Sequence, residues 1–161
     1  MNEKIEKSGL IQLIKRGGVF SDLPGANPLE VLTGLIQTVP LPDGISREGL
    51  LKAVLEREAL MPTAIGNGIA LPHPRNPIIT GPQDQFVVIG FPRQQVDWKA
   101  LDGKPVHTLL LIVSSSAKLH LRTLSQISFF CHQETFRDLL QKQASQQHII
   151  DVIQEAEGAW R

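Results

Sequence analysis

Two short, unbroken apolar runs, residues 86–91 and 107–113, set the strongest limit on how this chain can fold. A strand with one wet face alternates apolar and polar residues, so a run without alternation reads as a strand buried on both faces. Both faces then need cover, and the flanking segments carry helix signals that supply it. Asn27 is placed as an N-cap with Pro28 at the first helical position, and the helix runs to about Thr38 with Leu32, Leu35 and Ile36 inward. Ser46 caps a second helix with Leu50, Leu51, Val54 and Leu55 on one face. A helix over residues 118–130 is expected to turn Leu121, Leu124, Ile127 and Cys131 inward, and residues 134–142 and 148–155 read as two more. Strands interleaved with helices indicate an α/β fold around a sheet. Residues 5–15, apolar at Ile5, Leu10, Ile11, Leu13 and Ile14, fit either a helix or a strand. Residues 17–28 and 40–44, rich in Gly and Pro, read as loose, the first as a surface loop.

Bulk properties narrow the function classes. A length of 161 residues suits one domain and buries a real core. Sixteen basic residues balance sixteen acidic ones with no Lys/Arg cluster, which argues against nucleic acid as a partner. A single cysteine, Cys131, excludes an internal disulfide framework and fits a reducing compartment. No stretch approaches the ~18 apolar residues of a membrane span, and the first residues lack the apolar core of a signal peptide. A cytoplasmic protein without membrane insertion is expected.

The chemistry concentrates in Gly68-Ile69-Ala70-Leu71-Pro72-His73-Pro74-Arg75. Pro74 pushes His73 out of helical geometry, so the apolar run reads as a short strand ending in a stiff loop that presents an imidazole. An imidazole so held suits nucleophilic or proton-transfer work near neutral pH, although a turn that happens to contain a histidine has the same signature. His120 falls near the start of the helix over 118–130, where free N–H groups favour an anion and the helix dipole keeps an imidazole neutral. Arg57 offers a charged fork for phosphate, or is a solvated helix residue. His107, His132 and His148 have no partner at metal-ligand spacing, so no metal site is expected. No cofactor fingerprint is present either: Gly66-Asn67-Gly68 reads as a turn into the strand before His73. Cys131 reads as buried packing. Asp97 and Asp102 fit acid/base roles, and Asp102-Gly103 fits a turn more simply.

Several motifs occur in a fixed order: Arg57-Glu58, then residues 63–73, then Val96-Asp97-Trp98 with Leu101-Asp102-Gly103-Lys104-Pro105-Val106, and finally His120-Leu121 with Leu124. In this order they resemble the fructose/mannitol-type EIIA domain of the bacterial phosphoenolpyruvate phosphotransferase system, a family that includes the nitrogen-regulatory EIIA proteins. The resemblance is strongest over residues 57–124, within core motifs at about 46–156, and leaves residues 1–26 as an N-terminal segment of one EIIA domain.

The resemblance implies a central mixed β-sheet flanked by helices. It also implies a phosphotransferase with a phosphohistidine intermediate, in which His73 accepts a phosphoryl group from a phosphorylated HPr-type carrier. His120 would contact that group and Arg57 would help neutralise it. The implied partners are the HPr-type carrier and then an EIIB protein or regulatory targets such as kinases and transporters. Three departures bear on subclass: Pro74-Arg75 after the histidine, Ser114-Ser115-Ser116 in place of a proline-containing loop, and Ala26-Asn27-Pro28 at the first helix. Arg75 would add a second cation near the phosphate or stand exposed. No EIIB or EIIC segment accompanies the motifs, which favours the nitrogen-regulatory branch. A sugar-specific EIIA and a non-catalytic EIIA-like interaction module are the alternatives.

Overall fold

The computed structural model describes residues 2–158, with side chains over residues 9–157. Its strands are β1 (Val19–Leu23), β2 (Ala64–Gly66), β3 (Ile69–Ala70), β4 (Phe86–Pro92) and β5 (Thr108–Val113). They form one sheet in the order β1-β4-β5-β3-β2. The sheet is mixed: β1 runs parallel to β4 and β3 parallel to β5, whereas β4–β5 and β2–β3 are antiparallel. The helices are α1 (Asn2–Gly17), α2 (Pro28–Thr38), α3 (Arg47–Leu60), α4 (Ala117–Cys131), α5 (Glu134–Gln141) and α6 (Gln146–Gly158). The expected mixed sheet flanked by helices is therefore observed. Among the described residues, no helix is long and apolar enough to cross a membrane.

The two apolar runs are the central pair, and every residue of β4 and β5 is buried. Successive strand side chains point to opposite faces, so each run feeds two cores. Val87, Ile89, Phe91, Leu110 and Ile112 pack with Leu10 and Ile14 of α1, Phe130 of α4 and the inner faces of α5 and α6. Phe86, Val88, Leu109, Leu111 and Val113 pack with Leu32 and Leu35 of α2, Leu50 and Val54 of α3, and Trp98. The caps act as read from the sequence. Asn27 accepts a hydrogen bond from the Glu30 amide with Pro28 at the helix start, and Ser46 accepts one from the Gly49 amide. Leu51 and Leu55 are only partly buried against this second core.

Three expectations are resolved or corrected. Residues 5–15 lie in helix α1, whose buried Leu10, Ile11, Leu13 and Ile14 recur at helical spacing; the side chain of Ile5 lies outside the described residues. The segment read as a surface loop contains β1, an edge strand paired with β4. The link from α1 into β1 needs its two glycines: a Cβ on Gly17 would stand 2.0 Å from the Val87 carbonyl oxygen, and Gly18 has a φ of +91°. Finally, Leu121 does not face inward but is 65% exposed, whereas Thr123, Ile127, Phe130 and Cys131 form the buried stripe of α4 and Leu124 packs at its margin. The first turns of α4 stand over the loop after β3, and Leu121 lines a cavity beside His73 there.

Candidate functional site

His73 is held by the backbone of the segment that ends β3. Strand β3 pairs with β5 through Ile69 and Ala70, and the Ile112 amide donates to the Pro72 carbonyl at 3.0 Å, continuing the alignment past the strand. The turn feeding β3 is Gly66-Asn67-Gly68, all at positive φ, as the sequence indicated. Prolines on both sides then stiffen the loop. The ring Nδ1 of His73 lies 2.8 Å from the Leu71 carbonyl oxygen. A carbonyl only accepts, so Nδ1 carries the proton, and in the neutral ring Nε2 keeps its lone pair.

That lone pair belongs to a two-imidazole cluster. The rings of His73 and His120 have centroids 4.6 Å apart and are tilted by 42°. His120 occupies the second turn of α4, whose N-cap Ser116 accepts a hydrogen bond from the Leu119 amide. Burial pushes the His73 pKa down; the Leu71 bond opposes this and the Arg57 charge adds to it. Burial, then His73 and Arg57, push His120 down to about 4. Both imidazoles are therefore neutral at physiological pH. Arg57 lies in the last turn of α3, where its guanidinium donates to the Met61 carbonyl at 2.7 Å. Beside the two rings opens a cavity of about 280 Å³, lined by His73, Pro74, Arg75, Ser114, His120 and Leu121. The arrangement combines a neutral ring nitrogen with a free lone pair, a second imidazole in contact with it, and a cation whose field reaches both. Those are the parts an in-line transfer of an anionic group requires.

The protein family described as the phosphoenolpyruvate-dependent sugar phosphotransferase system, EIIA 2, matches this chain over residues 12–156. The chain belongs to this family. Among EIIA relatives, the fructose-specific EIIABC component of Bacillus subtilis is 34% identical over 109 residues, 66% of this chain but 17% of that protein. This chain thus spans about a sixth of that relative's length. A nitrogen regulatory protein of Pseudomonas aeruginosa is 29% identical over 89% of this chain and 94% of its own length. The EIIA fold is shared with the nitrogen regulatory protein IIA-Ntr of Neisseria meningitidis, at a TM-score of 0.70, 20% identity, 89% of this chain and 94% of that one. It is also shared with IIA mannitol of Escherichia coli, at a TM-score of 0.63, 18% identity, 84% of this chain and 94% of that one.

The remaining polar candidates of this EIIA domain lie elsewhere. Asp102 accepts bonds from the Asn67 and Lys104 amides, which hold its carboxyl below the usual range, and so it braces the Gly66-Asn67-Gly68 turn. Asp97 accepts from the Lys99 amide in a local turn. His107 precedes β5 at the opposite end of that strand from His120, His132 bonds the Ser128 carbonyl at the end of α4, and His148 opens α6. Cys131 is buried and its thiol is pushed up to about 12, which fits packing. Among the described residues, no three His, Cys, Asp or Glu side chains cluster as metal ligands.

One residue beside the site escaped the sequence reading. Glu58, quoted there only as the companion of Arg57, accepts hydrogen bonds from the Thr63 amide, the Thr63 hydroxyl and the Trp98 indole. A carboxylate in the last turn of a helix, where the dipole disfavours it, was the available signal.

Proposed function

We propose that this chain is a phosphohistidine carrier of the phosphoenolpyruvate-dependent phosphotransferase system, with His73 as acceptor. The observation that carries the reading is the hydrogen bond from His73 Nδ1–H to the Leu71 carbonyl beside the His120 ring. The Nε2 lone pair attacks phosphorus of a phosphorylated HPr-type carrier, and the P–N bond to the donor histidine breaks with its electron pair returning to that ring. His120 and Arg57 stabilise the charge spread over the transferring oxygens. The exchange is reversible, because one phosphohistidine is made as another is consumed, and it takes place in the cytoplasm. Leu60, Met61 and Leu121, each more than 60% exposed, put apolar surface on the α3 end that carries Arg57 and beside His120. Such surface suits a protein donor better than a small molecule.

The downstream role is regulatory in this proposal. The similarity to a nitrogen regulatory protein runs along 89% of the chain. Phosphorylation adds roughly −2 charges to the surface around His73. That change would set binding to a target such as a kinase or transporter. A sugar-specific EIIA that donates to a separate EIIB is the second reading, favoured by the 33% identity to a fructose-specific EIIA component of Haloferax volcanii over 68% of this chain. The test is reconstitution with phosphoenolpyruvate, Enzyme I and HPr, read by intact mass. The expected result is an acid-labile gain of one phosphoryl group, absent in His73→Ala. No gain in a folded sample with several HPr proteins would overturn the reading in favour of an interaction module. Rapid onward transfer to a fructose-type EIIB would favour the sugar-specific reading.

A further inference from the structure

Glu58 sits next to Arg57 in the last turn of α3, yet its carboxylate points its bonds at two other segments. Oε2 accepts from the Thr63 amide at 2.7 Å and from Trp98 Nε1 at 3.1 Å, and Oε1 accepts from the Thr63 hydroxyl at 2.6 Å. Three bonds to one carboxylate, two of them from one residue, lock both the carboxylate and Thr63. Trp98 and Thr63 are buried, at 2% and 6% exposure, and Glu58 is half-buried over them. The chain of bonds continues: the Thr63 carbonyl accepts from the Leu71 amide at 2.9 Å, and the Leu71 carbonyl accepts from His73 Nδ1–H at 2.8 Å. A relay through Thr63 and Leu71 thus joins the Glu58 carboxylate to the ring nitrogen that is not free to react.

We propose that Glu58 is a positioning residue for phosphoryl transfer: by clamping Thr63 and Trp98 it fixes the backbone at Leu71, and so the tautomer and aim of the His73 ring. This rests on the reading of His73 as the phosphoryl acceptor. A packing role alone is served by an apolar side chain of similar size, but no apolar side chain accepts these three donors, and buried donors left unpaired are costly. The charge also matters at the ring. Arg57 opposes a proton on His73, and Glu58 is the charge that favours one.

The test uses the full chain with ¹⁵N-labelled imidazoles and two substitutions. Glu58→Gln keeps an oxygen for the Thr63 amide and the indole, and its NH₂ donates to a Thr63 hydroxyl turned the other way. Glu58→Ala removes all three acceptors. Folded Glu58→Ala should show mixed His73 tautomers and phosphoryl uptake slower by on the order of tenfold to a hundredfold. Glu58→Gln should recover the Nδ1–H tautomer and most of the rate. Should Glu58→Ala not fold, Thr63→Val, which removes one of the three bonds, should give a smaller loss in the same direction. A single Nδ1–H tautomer and parental rate in Glu58→Ala, or in Thr63→Val where that variant stands in, would overturn the proposal. So would a Glu58→Gln protein no better than Glu58→Ala. The tautomer is read on the unphosphorylated chain with no donor present. A parental protein that takes up no phosphoryl group would therefore count against His73 as acceptor, whereas the tautomer result speaks to Glu58 alone.

Discussion

The Leu71 carbonyl makes the two nitrogens of the His73 ring unequal, and much of the site's chemistry follows from that inequality. Arg57 lowers the proton affinity of His73, and in the proposed transfer it would also offer a positive charge to the phosphoryl group. Arg57→Ala should therefore raise the His73 pKa while slowing phosphoryl uptake by on the order of a hundredfold, measured by imidazole NMR and by rapid-quench kinetics. A lower pKa in that variant would contradict the assignment of the Arg57 field. The imidazole pair also ties stability to pH. The unfolded rings protonate near the ordinary histidine value of 6.5, whereas the folded rings resist, His120 down to about 4. The folded state thus binds fewer protons in this window, so the pair's contribution is complete above 6.5 and is lost as pH falls toward 4. Urea midpoints should drop over that range, and a His73→Gln/His120→Gln double variant should drop less steeply. Equal slopes would show that the pair does not carry the effect.

At the scale of elements, helix α4 brings His120 to His73, and its start depends on Ser116. Removing that cap with Ser116→Ala should cost ~1 kcal/mol, a Tm decrease of about 2–4 °C for a domain of this size, read by calorimetry. An unchanged Tm would mean that the first turn is held by other contacts. Helix caps were the most legible signals in the chain. Asn27-Pro28 and Ser46 mark the starts of α2 and α3 because side-chain capping is local chemistry, decided within three residues. Strand β1 was not legible for the opposite reason. It has five residues, two of them exposed, and exists because β4 offers it a partner far along the chain. Gly17 carried the hint: it permits the end of α1 to approach the Val87 carbonyl, a contact invisible until the sheet is assembled. Leu121 misled because helical periodicity gives a face but not the length of helix that the core covers.

At the scale of the molecule, the two unbroken apolar runs announced a sheet buried between helical layers, and the structure has that sandwich. The order β1-β4-β5-β3-β2 was not readable, since a strand buried on both faces does not say which neighbour it takes. Of the site, His73, His120 and Arg57 were legible as separate motifs and come together in the fold as a ring pair within the field of one cation, whereas the supporting bonds of Glu58 depend on loops that only tertiary packing aligns. The exposed apolar residues around this cluster make a prediction at the same scale. Leu121→Asn should raise KM for a phosphorylated HPr-type donor by about tenfold with kcat and Tm retained, because it removes apolar surface from the face the donor is proposed to cover and adds no charge beside the rings. A fall in kcat at constant KM would place Leu121 in the chemistry instead.

The proposed transfer puts the phosphoryl group on Nε2 of His73, and phosphorus–nitrogen correlation NMR on the ¹⁵N-histidine-labelled, phosphorylated chain reads which nitrogen carries it. Phosphorus should couple to Nε2 of His73, with Nδ1 still protonated and bonded to Leu71. Phosphorus on Nδ1, on His120 or on any other histidine would contradict it.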